Sequence, residues 1–165
     1  MRRFDLRSLR FGDQSETWRR LPVEVAPFVF GGLEYAVPDG VVELELRAAR
    51  VGDRLTVTAS VETELDGPCQ RCLEAALVSV SARGLDYVRN GDSAMSDADE
   101  DQEGYASAFI VDVRRWARDL LADALPLQLL CRDDCAGLCP VCGADLNADP
   151  EHGHEGDAAP GADAP

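Results

Sequence analysis

The sequence predicts an α+β protein: antiparallel β-hairpins that form a sheet or partial barrel, one C-terminal amphipathic helix, and a C-terminal cysteine cluster that is zinc knuckle-like. Three observations support this prediction. Apolar and polar residues alternate over consecutive segments, one later segment carries a helical apolar stripe, and all six cysteines lie near one another in groups.

Two neighbouring segments with period-two alternation predict the first hairpin. Residues 41–51 and 54–65 both alternate, and Gly52-Asp53 joins them. An antiparallel pair with one buried face is the natural interpretation. Before it, residues 21–37 contain prolines and a Gly31-Gly32 pair, which favours short irregular strands around a turn.

A second hairpin is predicted around the first cysteine pair. Asp66-Gly67-Pro68 has strong turn chemistry, and Cys69-Gln70-Arg71-Cys72 follows at once. Residues 75–88 then alternate again, with Gly84 as a plausible bulge. We therefore expect the pair Cys69 and Cys72 at the tip of this hairpin.

The helix is predicted after an acidic loop at 90–104 and a short strand from Tyr105 to Val111. Asp112 is a good N-cap, and the helix should end before Pro126. The apolar stripe comprises Val113, Trp116, Ala117, Leu120, Leu121 and Ala124. The expected organisation is thus an N-terminal arm (1–20), a single α+β domain (21–147) and a disordered acidic tail (148–165).

The formal charge of −15 does not by itself exclude a nucleic-acid partner. Twelve of the 31 acidic residues lie in 92–103 and 145–165, segments without arginine, and all 16 basic residues are arginine. No stretch approaches the roughly 18 apolar residues of a membrane span. The N-terminus has charges throughout and no apolar core of a signal peptide, so we expect a cytoplasmic protein.

In a reducing compartment, clustered cysteines are more often metal ligands or redox groups than disulfides. Cys139-Pro140-Val141-Cys142-Gly143 has the form of a zinc knuckle. The simplest hypothesis is one structural Zn²⁺ bound by Cys131, Cys135, Cys139 and Cys142. The alternative set, which would join the hairpin tip to the C-terminal segment, is Cys69, Cys72, Cys139 and Cys142.

Other possibilities for these residues stay open. His152 and His154 are possible substitutes for a thiol, although we expect their tail to be flexible. An iron–sulfur cluster is possible on ligand type alone, and so are six free thiols without metal. Four protein ligands leave no open position, which indicates a structural rather than a catalytic ion.

Enzymatic motifs are not apparent. Cys69 and Cys72 resemble a redox pair by spacing, but a strand rather than a helix N-terminus is expected to follow them. The sequence has no nucleophile elbow, P-loop or dinucleotide fingerprint. We therefore predict that the protein is not an enzyme, with a thiol-disulfide oxidoreductase using this pair as an alternative.

The order of these features resembles the YceD family, the large ribosomal RNA subunit accumulation proteins. The resemblance is carried by Cys69-Gln70-Arg71-Cys72-Leu73, Val111-Asp112, Ala124-Leu125-Pro126-Leu127, the segment from Cys135 to Gly143, and Leu146-Asn147. It extends over about residues 20–147. Whereas some relatives continue with a further segment, this chain ends in Ala, Gly and Pro.

The resemblance implies a factor for large-subunit rRNA accumulation or ribosome assembly, with no known catalytic activity. The expected partner is pre-ribosomal RNA or a basic large-subunit ribosomal protein, with no membrane and no small-molecule substrate. A zinc-ribbon-like adaptor for some other protein remains a further alternative.

Overall fold

A computed structural model describes residues 2–11, 15–51, 54–89 and 104–154. Within these ranges the chain forms nine β-strands, one α-helix and two short 3₁₀ turns, at Leu6–Ser8 and Pro38–Gly40. The strands and the helix are β1 (Phe4–Asp5), β2 (Glu16–Glu24), β3 (Phe28–Phe30), β4 (Leu33–Tyr35), β5 (Val41–Val51), β6 (Arg54–Pro68), β7 (Ala75–Arg89), β8 (Ala106–Ser107), β9 (Ile110–Val111) and α1 (Val113–Asp123).

The central element is an open four-stranded antiparallel sheet with strand order β2-β5-β6-β7. β5 and β6 form the predicted first hairpin, in which Leu44 lies opposite Val61 and Leu46 opposite Ala59. These four side chains are buried, because alternate residues along each strand point to the same face of the sheet. The α+β prediction is confirmed, and the sheet is open rather than closed into a barrel.

The second predicted hairpin is also present, and its register runs unbroken from Arg54 opposite Arg89 to Pro68 opposite Ala75. The prediction of a bulge at Gly84 is wrong, because Gly84 pairs in register with Ala59. The reason for glycine lies in packing: a Cβ at Gly84 would lie 2.8 Å from Nε1 of Trp116. The missing side chain lets the helix approach the sheet closely.

Helix α1 lies against the buried face of the sheet through the predicted apolar stripe. Asp112 caps it as expected, since its Oδ1 accepts a hydrogen bond from the backbone N–H of Arg115 at 3.1 Å. Trp116 is fully buried and stacks on Tyr105 with ring centroids 5.0 Å apart. The remaining buried residues of the stripe are Val113, Ala117, Leu120 and Leu121.

The N-terminal residues do not form the separate arm predicted at 1–20 but are part of the folded sheets. β1 pairs with β9, and residues 16–20 belong to β2, which pairs with β5 along its whole length. Leu6 and Leu9 are buried in the main core. These apolar side chains secure the segment to the fold, since burying a leucine contributes about 1.5–3 kcal/mol.

The predicted short strand from Tyr105 to Val111 is divided in two. β8 and β9 pair with each other around Ala108 and Phe109, whose backbone φ angles are 48° and 67°. A left-handed pair of this kind forms the tight turn of a two-residue hairpin. β9 also pairs with β1, which gives a three-stranded sheet in the order β1-β9-β8.

Parts of two predicted segments lie outside the described residues: 90–103 of the acidic loop and 155–165 of the tail. Residues 148–154 of the predicted tail are described. They continue in turns, in which Ala148 and Asp149 donate backbone hydrogen bonds to Asp145 and His152 donates one to Asp149. Along the described part of the chain, no helix is long and apolar enough to span a membrane.

Candidate metal centres

The structure gathers the cysteines and histidines into two groups of potential metal ligands. The four-thiol group is Cys69, Cys72, Cys131 and Cys135; the thiol–histidine group is Cys139, Cys142, His152 and His154. Within each group the ligand atoms lie within 4.8 Å of one another.

This grouping differs from both sets expected from spacing. The set Cys131, Cys135, Cys139 and Cys142 is divided equally between the two groups, and so is the set Cys69, Cys72, Cys139 and Cys142. The physical reason is that the tip of the β6–β7 hairpin contacts the segment before Cys139. The segment after Cys142 turns back towards the Cys139–Cys142 turn instead.

The four-thiol group has the dimensions of a tetrahedral thiolate site. Cys69 Sγ lies 3.8 Å from Cys135 Sγ, and Cys72 Sγ lies 3.6 Å from Cys131 Sγ. Zinc–sulfur bonds of about 2.3 Å at tetrahedral angles place sulfur atoms about 3.8 Å apart. Three of the four cysteines are buried, and Cys131 is exposed at the edge.

Two Cys-x-x-Cys turns with the same hydrogen-bonding pattern supply half of the ligands. The backbone N–H of Cys69 donates to the carbonyl of Glu74 at 2.7 Å, and that of Cys139 donates to Ala144 at 2.8 Å. The first turn closes the β6–β7 hairpin. The second lies in a smaller hairpin, where Leu138 forms a bridge with Asp145. Each turn directs two thiols to one side, as a zinc knuckle does.

Arg71 connects the hairpin tip with the C-terminal segment. Its Nη1 donates to the carbonyl of Cys135 at 2.9 Å, and its Nη2 donates to Oε1 of Gln128 at 2.9 Å. Its own carbonyl accepts from the backbone N–H of Leu138 at 3.1 Å. Gly137 lies so close that a Cβ there would be 3.0 Å from the Arg71 carbonyl oxygen. Arg71 is therefore a structural link as well as a local positive charge.

The thiols of Cys69, Cys72 and Cys131 have different pKa values. Burial opposes ionisation of Cys69, but backbone N–H groups of Cys72, Arg71 and Cys131 lower its pKa to about 6. For Cys72, the backbone N–H of Glu74 favours the thiolate, but burial and the neighbouring thiols prevail and raise the pKa to about 12. Although Cys131 is exposed as a residue, desolvation of its thiol raises its pKa as well. A thiolate at Cys69 thus opposes ionisation of Cys72, and a bound cation would offset that repulsion.

Asn147 supports the four-thiol group from outside. Its Oδ1 accepts from the backbone N–H of Ala136 at 2.8 Å and from Nη2 of Arg132 at 2.7 Å. Its Nδ2 donates to Oδ1 of Asp145 at 2.7 Å and lies 3.6 Å from Cys135 Sγ. Hydrogen bonds of this kind orient ligands and tune a metal site.

The thiol–histidine group lies immediately after the first along the chain. His154 Nε2 lies 3.1 Å from Cys139 Sγ, and His152 Nε2 lies 3.1 Å from Cys142 Sγ. The backbone N–H of Cys142, the ring of His154 and the backbone N–H of Val141 lower the pKa of Cys139 to about 6. A low thiol pKa favours metal ligation.

From the sequence, the two histidines are expected only as substitutes for one thiol in a flexible tail. The signal for a complete second group was present, since a His-x-His pair follows the knuckle ten residues after Cys142. The usual zinc pattern of Cys-x₂-Cys and two histidines has longer spacings, about 12–15 residues before the histidines and about 3–5 between them, so the signal here is weaker than in that pattern.

The arrangement suits metal ligation better than thiol-disulfide exchange. Cys69 is completely buried, and β7 rather than a helix follows Cys72. A redox nucleophile needs an accessible thiolate, commonly at a helix N-terminus. Closed sets of four protein ligands favour an ion that stabilises structure over one that binds a substrate.

Comparison with known proteins identifies a family that the sequence matches. The family model described as "Large ribosomal RNA subunit accumulation protein YceD" matches residues 57–162. An uncharacterized protein of Mycobacterium tuberculosis (strain H37Rv) is 33% identical over 127 residues, which are 75% of this chain and 61% of the relative. An uncharacterized protein of Mycobacterium leprae is 29% identical over 125 residues, 74% of this chain and 56% of the relative.

The chain therefore spans about three fifths of the length of the curated relatives that it matches. No solved structure matches the chain.

Proposed function

The chain belongs to the family of the large ribosomal RNA subunit accumulation protein YceD, and from that premise we propose that it is a non-enzymatic factor that supports accumulation of large-subunit ribosomal RNA during ribosome assembly. The family match carries this proposal, because the matched residues 57–162 include all eight ligands of the two groups. We expect the factor to work in the cytoplasm, where bacterial ribosomes assemble.

The proposed cofactor is a structural Zn²⁺ in the four-thiol group. The supporting observations are the sulfur separations of 3.6 and 3.8 Å and a set of ligands that are all thiols. The ion would join the β6–β7 hairpin tip to the segment at 131–135. Elemental analysis of protein purified in the reduced state should find zinc; iron with inorganic sulfide would contradict this assignment.

We propose pre-ribosomal RNA as the partner, and the open face of the sheet as the surface that meets it. Trp18, Arg47, Thr58 and Leu85 lie in one row across the four strands. Trp18 is 53% exposed, and the guanidinium of Arg20 lies 5.8 Å from its ring centroid. Exposed aromatic and arginine side chains on a sheet are suited to stacking with single-stranded bases.

A basic large-subunit ribosomal protein is the other partner that the charge of −15 suggests. Ultraviolet cross-linking in cells separates the two possibilities. Cross-linked large-subunit rRNA that is lost in a Trp18→Ala variant supports the RNA contact. Recovery of a basic ribosomal protein without cross-linked RNA would indicate that the partner is a protein and not RNA.

Deletion of the gene tests the function itself. The ratio of mature large-subunit to small-subunit rRNA should fall in the deletion strain, and the wild-type gene should restore it. The Cys69→Ser/Cys72→Ser variant should fail to restore it, whereas Ala122→Ser, an exposed change on α1 away from the open face of the sheet, should succeed. An unchanged ratio in a clean deletion would overturn the proposal.

A further inference from the structure

The thiol–histidine group has a geometry that hydrogen bonding alone explains poorly. The Nε2 atoms of His152 and His154 lie 3.3 Å apart, with the two rings perpendicular to each other. Both nitrogens also lie 3.1 Å from a cysteine sulfur. Four donor atoms of the metal-binding kind thus converge on one point from four side chains.

The distances agree with a tetrahedral ion at that point. Zinc–nitrogen bonds of about 2.0–2.1 Å at tetrahedral angles place two nitrogens about 3.3 Å apart. The sulfur–nitrogen separations of 3.1 Å are about 0.4 Å shorter than the same geometry requires, a difference that small rotations of the rings would absorb.

The orientation of one histidine supports the same assignment. Nδ1 of His152 lies 3.9 Å from Oδ2 of Asp149. This separation is longer than a hydrogen bond, but the negative charge on the far side of the imidazole still favours the tautomer with its proton on Nδ1, which leaves the Nε2 lone pair for the ion. In this group, Nε2 is the nitrogen that faces the two thiols.

The surrounding segment has almost no apolar core to hold it in place. Of residues 139–154, which the structure describes completely, only Cys139 is buried. Ordering a segment costs backbone entropy that must be offset by some other interaction. A metal ion offsets such a cost in small modules that lack a core.

From these observations we propose that Cys139, Cys142, His152 and His154 bind a second zinc ion, separate from the four-thiol group, which holds residues 139–154 as a closed metal module. The ligand set of two thiolates and two imidazoles is one that zinc favours. No ligand is shared between the two groups, so each ion can be removed by substitutions that leave the other ligand set intact. This inference does not depend on the role in rRNA accumulation.

Native mass spectrometry of the full, zinc-loaded chain gives the first test. Wild type should carry two zinc ions, and the His152→Ala/His154→Ala variant should carry one. Glu151→Ala, which alters an exposed side chain beside His152, is the matched control and should keep two ions. Two ions in the histidine variant, or one ion in wild type that the variant retains, would overturn the proposal.

X-ray absorption on wild-type protein gives a second test that does not depend on any variant folding. Six sulfurs and two nitrogens divided between two ions predict an average of three sulfurs and one nitrogen around each zinc. A wild-type environment of sulfur alone would contradict the second site.

Discussion

Leu73 and Gly143 occupy equivalent positions in the two Cys-x-x-Cys turns, with backbone φ angles of 64° and 75°. Each donates its backbone N–H to the carbonyl of the first cysteine of its turn, at 3.0 Å for Leu73 and 2.8 Å for Gly143. Both residues are therefore in the left-handed region, which glycine adopts freely and leucine adopts only at a cost.

The first prediction concerns this strain. Leu73→Gly should raise the free energy of unfolding by about 0.5–1 kcal/mol. Glycine adopts the left-handed conformation without the steric cost that leucine has there, and this gain exceeds the loss from a more flexible unfolded chain. Little apolar contact is lost, since Leu73 is 58% exposed. Chemical denaturation of the zinc-loaded protein measures the effect. Leu73→Ala is the control, because it removes the side chain but keeps the strain; equal effects of the two substitutions would contradict this account.

A second prediction follows from the close contact between the sheet and the helix. Gly84→Ala should lower the free energy of unfolding by about 1–3 kcal/mol, because its Cβ would press on Trp116. Urea denaturation checks this value. Ser79→Ala on the exposed face of the same strand should have a negligible effect. A neutral result for Gly84→Ala would mean that the helix is free to move away from β7.

Removal of metal should affect the molecule unevenly. A strong chelator should abolish the hydrogen-exchange protection of residues 129–154, while the backbone amides of β5 and β6 stay protected. The sheet and α1 share a large apolar core, whereas the buried cluster around the four-thiol group contains three cysteines and Ala76. Simultaneous loss of protection in β5 and β6 would show instead that metal binding and sheet folding are a single transition.

Asn147 provides a test of support around the four-thiol group. Asn147→Ala should weaken zinc binding there by about 10- to 100-fold, since it removes the hydrogen bonds that position the backbone at Ala136 and the contact with Cys135 Sγ. Competition with a chromophoric chelator measures the affinity. Asp133→Asn, an exposed change in the same segment, should leave it unaltered. Equal affinity in Asn147→Ala would limit Asn147 to a role in local folding.

Zinc binding should become tighter as the pH rises from 6.5 to 8. In the metal-free protein the pKa of Cys72 is about 12 and that of Cys131 is raised, so both thiols hold their protons at pH 7. Binding must release those protons, and a lower proton concentration therefore favours the complex. Calorimetry in buffers of different ionisation enthalpy counts the released protons. Heats that do not vary with the buffer would contradict this linkage.

The strands and the helix could be predicted from sequence because their signals are local. Period-two alternation defined both hairpins, and Asp112 with its apolar stripe defined α1. The pairing of the cysteines could not be predicted in this way. It depends on how residues after α1 return to the hairpin tip, where the backbone N–H of Gln70 donates to the carbonyl of Leu129 at 2.9 Å. No spacing within 131–142 encodes that contact.

The role of the two histidines is hard to predict from the sequence for a related reason. An acidic segment rich in alanine, glycine and proline is typical of disorder, and composition outweighed the His-x-His pattern within it. In the structure, turn hydrogen bonds at Asp145 and Asp149 bring the segment back to the Cys139–Cys142 turn.

The two ligand sets span very different lengths of chain, from 69 to 135 in one and from 139 to 154 in the other. Closing a loop about four times longer costs an unfolded chain about 1.2 kcal/mol more. When zinc is scarce, a newly synthesised chain would therefore bind its first ion at the thiol–histidine group. The ligands of that group are nevertheless the last of the eight to be synthesised. The four-thiol group would bind its ion later, after folding of the sheet had brought Cys69 and Cys72 close to Cys131 and Cys135.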